Sequence, residues 1–164
     1  MKNTTANHIY ELIQQMQSNR QSDHGSKEQQ WIIKHLDDPQ LQQIIPKLSI
    51  VALHILSALE HSTQQTGIEL ANTLKVTRGG ITRAAKKLLN YDLIVAHKLP
   101  DNQKNLYYSI TPQGKKIAII HDQMHHTLKT DLINRVTNKY SEKELIIVNN
   151  FLADLLNAEN QFTK

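Results

Sequence analysis

The chain has no cysteine, one tryptophan, two phenylalanines and no apolar run long enough to cross a membrane. Without thiols it can form neither a disulfide nor a thiolate redox switch, and any metal must be held by histidine, aspartate or glutamate. A membrane-crossing helix needs roughly 20 consecutive apolar residues, and the most apolar stretch, KLSIVALHILSALE, is shorter and carries His54 in its middle. The opening residues MKNTTANHIYELI have no apolar region after Lys2, which predicts no secretory leader and a cytoplasmic protein. Aromatic residues make up 5% and apolar residues 39% of 164 positions. That is lean for a self-sufficient core and predicts one completed by a second copy of the chain. A P-loop, a glycine-rich dinucleotide turn and a Cys-His nucleophile pair are all lacking, so no enzyme is expected.

The positive charge is concentrated. The formal net charge is +4, yet residues 67–116 alone hold nine Lys/Arg against Glu69, Asp92 and Asp101, a net of +6, which leaves the flanks at −2. A basic segment between non-basic flanks is the footprint expected of nucleic-acid binding, and joined to a helix-turn-helix it makes double-stranded DNA the expected partner.

Apolar spacing predicts a mainly α-helical chain. Ile9, Leu12, Ile13 and Met16 give a helix over 5–20, SDHGS predicts a break, and Ser26 with Gln29 predicts a capping box opening a new helix at WIIKHL. Asp38-Pro39 reads as an N-cap followed by proline in the first turn. Thr66 with Glu69 opens a short helix, GIELANTL, and Thr77 caps another running to about Tyr91. Two short helices joined by a tight turn make a helix-turn-helix. LIVAHKL and LYYSI, joined by the turn-forming PDNQKN, predict a β-hairpin directly behind it. Thr111-Pro112 begins a long helix to about residue 138. Ser141 with Glu144 begins the last one, striped with Leu145, Val148, Leu152, Leu155 and Leu156. The expected organisation is an N-terminal dimerisation segment, 1–47, a winged helix-turn-helix over 48–111 and a C-terminal dimerisation segment, 112–164.

The second helix of the motif has two chemically distinct faces. Ile81, Ala84, Ala85 and Leu88 fall on one side, while Gly79, Thr82, Arg83, Lys86 and Asn90 fall on the other with no acid among them. Arginine can bind guanine bidentately, threonine can meet a base edge or methyl, and lysine can neutralise phosphate. Gly79, Thr82 and Arg83 are expected at base edges, and Arg78, Lys86, Lys87, Lys98 and Lys104 along phosphates.

Together these words resemble the MarR family of winged-helix repressors. The resemblance is carried by ELANTLKVTRGGITRAAKKLLNYDLI, by the Asp101-bearing hairpin and by ITPQG, over about residues 48–155. It implies a homodimer on a pseudo-palindromic operator, with Thr77, Gly79, Thr82 and Arg83 at groove-contacting positions and residues 100–105, including Asn102 and Lys104, as the wing. The family wing usually carries Asp-x-Arg, whereas here Asp101 is followed by Asn102, Gln103 and Lys104. Lysine is a more strongly hydrated point charge than arginine and a poorer probe of a narrow minor groove.

The segment HDQMHH, residues 121–126, remains. On the long helix His121 sits within the stripe Ile117, Ile120, Met124, Leu128 and Leu132, His125 on its edge and His126 on the far side. His121 and His125, four apart, face one way, as two ligands on one helix must. His54 is a third candidate on its own apolar helix. The pattern is similar to the zinc-responsive branch of the MarR family, which implies His54, His121 and His125 as zinc ligands and a further ligand among Glu28, His24 and His35. Two other readings stand beside it. One is a repressor released by a small organic molecule. The other is a zinc hydrolase in which His121-Asp122-x-x-His125 echoes H-E-x-x-H, although Asp is one methylene shorter than the Glu that serves as base.

Overall fold

The computed structural model describes the backbone of residues 2–162, and their side chains except those of residues 2, 3, 17–26, 160 and 162. The chain divides into two compact units, residues 1–124 and 125–164.

The first unit opens with α1, Lys2–His35, a single helix where the sequence predicts a break at SDHGS. One glycine in a helix costs only about 1 kcal/mol, and the helix beyond it is firmly held. Ile32 is fully buried, Leu36 just past the helix is nearly so, and the Gln29 amide donates to the Leu48 carbonyl at 2.8 Å. Gln29 thus closes no capping box; the Ser26 side chain lies outside the described residues. α2, Pro39–Ile44, is capped as expected, Asp38 accepting from the Leu41 amide at 3.2 Å. The Gln42 amide donates to the carbonyls of Ile33 and Leu36, satisfying groups at the end of α1. A 3₁₀ turn, Ile45–Lys47, leads to α3, Ile50–Glu60, which buries Ala52, Leu53, Ile55, Leu56 and Leu59.

The helix-turn-helix forms where the sequence places it. The Thr66–Glu69 capping box opens α4, Gly67–Leu74, and its two Thr66 hydrogen bonds, outweighing desolvation, hold the Glu69 carboxyl below its ordinary value. Lys75, at φ 53°, makes the left-handed turn between the helices. Thr77 then caps α5, Arg78–Asn90, by accepting from the Gly80 amide at 3.1 Å. Ile81, Ala84, Ala85 and Leu88 point inward and α5 packs on both α3 and α4.

The hairpin consists of β2, Ile94–Leu99, and β3, Asn102–Ile110, antiparallel from Ile94↔Ile110 to a register shift after His97. A third strand, β1, Gln65–Thr66, pairs with Tyr108 and Tyr107 on the other edge of β3, giving the order β1–β3–β2. Two residues carry no alternation, so the sequence gives no sign of this strand. It ties the start of α4 to the hairpin.

α6, Pro112–Arg135, starts at a cramped junction. The Thr111 hydroxyl accepts from the Gly114 amide and donates to the Asp92 carbonyl at 2.8 Å. A Cβ on Gly114 would lie 2.1 Å from the Leu93 carbonyl oxygen, which explains the glycine of ITPQG. Gly114→Ala is therefore expected to destabilise the protein by about 2 kcal/mol or more, since the clash is with backbone and exceeds the helix-propensity gain. Thermal melts would show this as a clear fall in Tm.

The second unit holds the rest of α6, a 3₁₀ turn at Thr137–Lys139 and α7, Glu142–Phe162. α6 ends three residues before the expected 138. The Ser141–Glu144 box forms, with Ser141 Oγ to Glu144 Oε2 at 2.7 Å. Leu128, Leu132, Ile146, Val148, Phe151, Leu152 and Leu156 are all exposed, an apolar surface of the kind that marks an interface. Among the described residues no helix is long and apolar enough to cross a membrane.

Candidate DNA-contact face and metal site

The outward face of α5 is positive and largely uncommitted. Arg78, Gly79, Thr82, Arg83, Lys86, Lys87 and Asn90 are exposed. A Cβ on Gly79 would meet nothing within 4 Å, so no contact within the chain requires glycine there, and the position is open to a surface that comes close. The Thr82 hydroxyl donates to the Arg78 carbonyl at 2.9 Å, leaving its lone pairs and methyl to face outward. Thr77 is exposed, but its oxygen is engaged in the cap.

Two hollows flank this face. One, of about 460 Å³, is lined by Arg83, Lys87 and Gly80 together with Lys47 and Ser49. Lys47 and Lys87 both stand over the Tyr91 ring, at 5.8 and 5.5 Å. Lys47 was not recognisable from the sequence because it lies outside the basic segment, and only the fold brings it to α5. The other hollow, of about 240 Å³, joins Arg78 and Thr82 to Lys104 and Asn105 of the wing. Lys98 is exposed on β2. Asn102 is half-buried and shapes the wing turn, donating to the Tyr107 hydroxyl and accepting from the Asn105 amide.

The histidines converge elsewhere. Glu28 of α1, His54 of α3, and His121 and His125 of α6 each offer a ligand atom within 4.8 Å of the other three. His125 follows His121 by one turn of the same helix, and the His54 and His121 rings meet edge to face at 5.3 Å. His121 is almost completely buried, His54 is half-buried and His125 is exposed. Glu28 Oε2 is shut off from solvent with no hydrogen-bond partner. A buried carboxylate oxygen without a donor is costly, and a cation at this place would remove the cost. Three imidazoles and one carboxylate suit a four-coordinate, borderline-soft ion such as zinc. The candidate His35 is not in the cluster. Its ring stacks on Trp31 at 3.8 Å and its Nδ1 meets the Trp31 carbonyl at 2.8 Å, one turn back along α1. His24 lies outside the described side chains, and His126 is exposed.

Asp122 faces a different set of partners. It accepts from Ser57 Oγ at 2.6 Å and is 3.0 Å from His61 Nε2 and 3.3 Å from His121 Nδ1. Burial pushes this carboxyl up, but the hydrogen bonds from Ser57, His121 and His61, with the His121 charge, outweigh it and hold the group below its ordinary value. Ser57 donates to the acid rather than to a histidine, so Ser57, His61 and Asp122 do not form a nucleophilic triad.

No protein-family model matches the chain. Among curated proteins it is 29% identical to the HTH-type transcriptional regulator YvnA of Bacillus subtilis over 63% of this chain and 65% of that one. It is 32% identical to the transcriptional regulator AdcR of Streptococcus pyogenes over 106 residues, 65% of this chain and 71% of that one. Solved structures with the same fold include the zinc-responsive MarR family member ZitR of Lactococcus lactis, at TM-score 0.70, 20% identity and 96% and 99% coverage of this chain and that one. ZitR in complex with DNA matches at TM-score 0.71, 22% identity and 93% and 96% coverage. The chain belongs to the MarR family. The matched part spans slightly less than two thirds of YvnA. These MarR-family relatives are named as regulators, not enzymes, which removes the hydrolase reading of His121-Asp122-x-x-His125. Asp122 gives a second reason, since a carboxylate occupied by Ser57 and His61 is not placed as a base on metal-bound water.

Proposed function

We propose that this protein is a homodimeric, cytoplasmic DNA-binding repressor whose hold on a pseudo-palindromic operator is set by zinc. Residues 48–111 carry DNA binding. α5 enters the major groove with Gly79, Thr82 and Arg83 at base edges, while Arg78, Lys86, Lys87, Lys98 and Lys104 follow phosphates. The segments 1–47 and 112–164 pair the subunits. The exposed apolar residues of α1 (Tyr10, Leu12 and Met16) and those of α6 and α7 support this, because a stable monomer rarely leaves so many uncovered.

The observation that carries metal control is the orphaned Glu28 Oε2 within reach of three imidazoles. Glu28, His54, His121 and His125 would hold the ion. A metal there bonds three helices, and one of them, α3, packs directly on α5. Zinc can change operator affinity only as far as it prefers one arrangement of those helices. The test measures binding to duplexes selected from a random library, in chelated buffer and with zinc added. A change of about tenfold or more, equal to about 1.4 kcal/mol of coupling, is expected. Equal binding in both buffers would overturn metal control and leave the reading in which an organic molecule is the effector. Failure to select any duplex would overturn DNA binding itself.

A further inference from the structure

We infer that Asp122 is a positioning residue that orients the metal ligand His121 and fastens it to α3, so that the ligand set and the DNA-binding body share one hydrogen-bonded joint. The inference rests on the zinc reading above. His54 and Ser57, at i and i+3 on α3, and His61, its C-cap at i+7, follow one side of that helix. The first turns its ring to His121, and the other two meet the Asp122 carboxylate on its two oxygens. The same carboxylate faces His121 Nδ1 at 3.3 Å.

A histidine that gives its Nδ1 proton to a carboxylate has its tautomer and ring orientation fixed, with the Nε2 lone pair available to a metal. A cation held by His121 would make its Nδ1–H a stronger donor and tighten the contact to Asp122. Ser57 and His61 hold Asp122 from α3, so that tightening draws on the helix that carries α5. The acid one place after the first histidine of HDQMHH is therefore an outer partner of the ligand.

The experiment compares the full-length wild type with Asp122→Asn and Ser57→Ala. Zinc affinity is read by chelator competition, the His121 tautomer by ¹⁵N NMR of the metal-free protein, and stability by thermal melting. Asp122→Asn keeps the side-chain volume but cannot serve all three donors, and it should weaken zinc about 10- to 100-fold. His121 should carry its proton on Nδ1 in the wild type and lose that preference in the variant. Ser57→Ala removes one bond that holds Asp122 but spares the His121 contact itself, and should weaken zinc clearly less than Asp122→Asn does. Equal loss of affinity in both variants would show a general structural role and overturn the inference. Unchanged affinity and tautomer in Asp122→Asn would also overturn it, while leaving zinc binding intact. A wild type that does not bind zinc would fail the underlying metal reading and take this inference with it.

Discussion

Replacing His121 and His125 together by alanine is expected to lower zinc affinity by a factor of at least about 100, because two of four ligands are lost and an outer partner alone is worth 10- to 100-fold. Operator binding should then be the same with chelator and with zinc. His126→Ala, on the far side of the same helix, is expected to change neither, which separates a site from a general affinity of histidine for metal. Glu28→Gln sharpens the argument because its two effects have opposite signs. It should weaken zinc by removing the one charged ligand. It should also leave the metal-free protein at least as stable as the wild type, since a buried carboxyl oxygen with no donor is replaced. Chelator competition gives the first effect and thermal melting in chelated buffer the second. Zinc affinity unchanged in the double variant would place the metal elsewhere, whatever the fate of DNA binding.

The elements that could be read from the sequence are those where local chemistry and tertiary packing agree. α5 is the clearest, since its cap, apolar side and cationic side all follow one 3.6-residue period, and every inward residue named from that period is buried. SDHGS misleads because glycine, serine and aspartate favour a break locally, whereas the packing of Ile32 and the Gln29 bond to Leu48 hold the helix beyond it. The strand at Gln65–Thr66 is hidden by its length. Within the candidate site, the i, i+4 pair of α6 is visible as spacing, but the choice among Glu28, His24 and His35 depends on how α1 is rotated, which no local pattern encodes. His35 is lost to the cluster through a stacking contact with Trp31. Asp122 is the most instructive residue. From the sequence it is one methylene short of a hydrolase base, and its partners Ser57 and His61 lie 65 and 61 positions away, so only the folded chain brings them together.

Arg83→Ala is expected to cost about 1–3 kcal/mol of specific operator binding, roughly a 5- to 150-fold weakening, and to relax preference at one position of each half-site. Arg83 is exposed at the middle of α5, opposite the buried Ile81–Ala84–Ala85–Leu88 side, so its loss should leave the helix and Tm essentially unchanged. Lys104→Ala supplies the contrast. Lys104, on the wing, lines the same hollow as Arg78 and Thr82, and as a hydrated point charge it should neutralise phosphate without reading sequence. Binding to all duplexes should fall alike, and the slope of log affinity against log salt should become shallower by about one unit. Titrations of both variants over a series of salt concentrations and single-base operator variants would separate the two roles. A change of base preference in Lys104→Ala would mean that the wing reads the groove despite lacking the arginine. Uniform weakening in Arg83→Ala would move base readout to Thr82 and to the close approach that Gly79 permits.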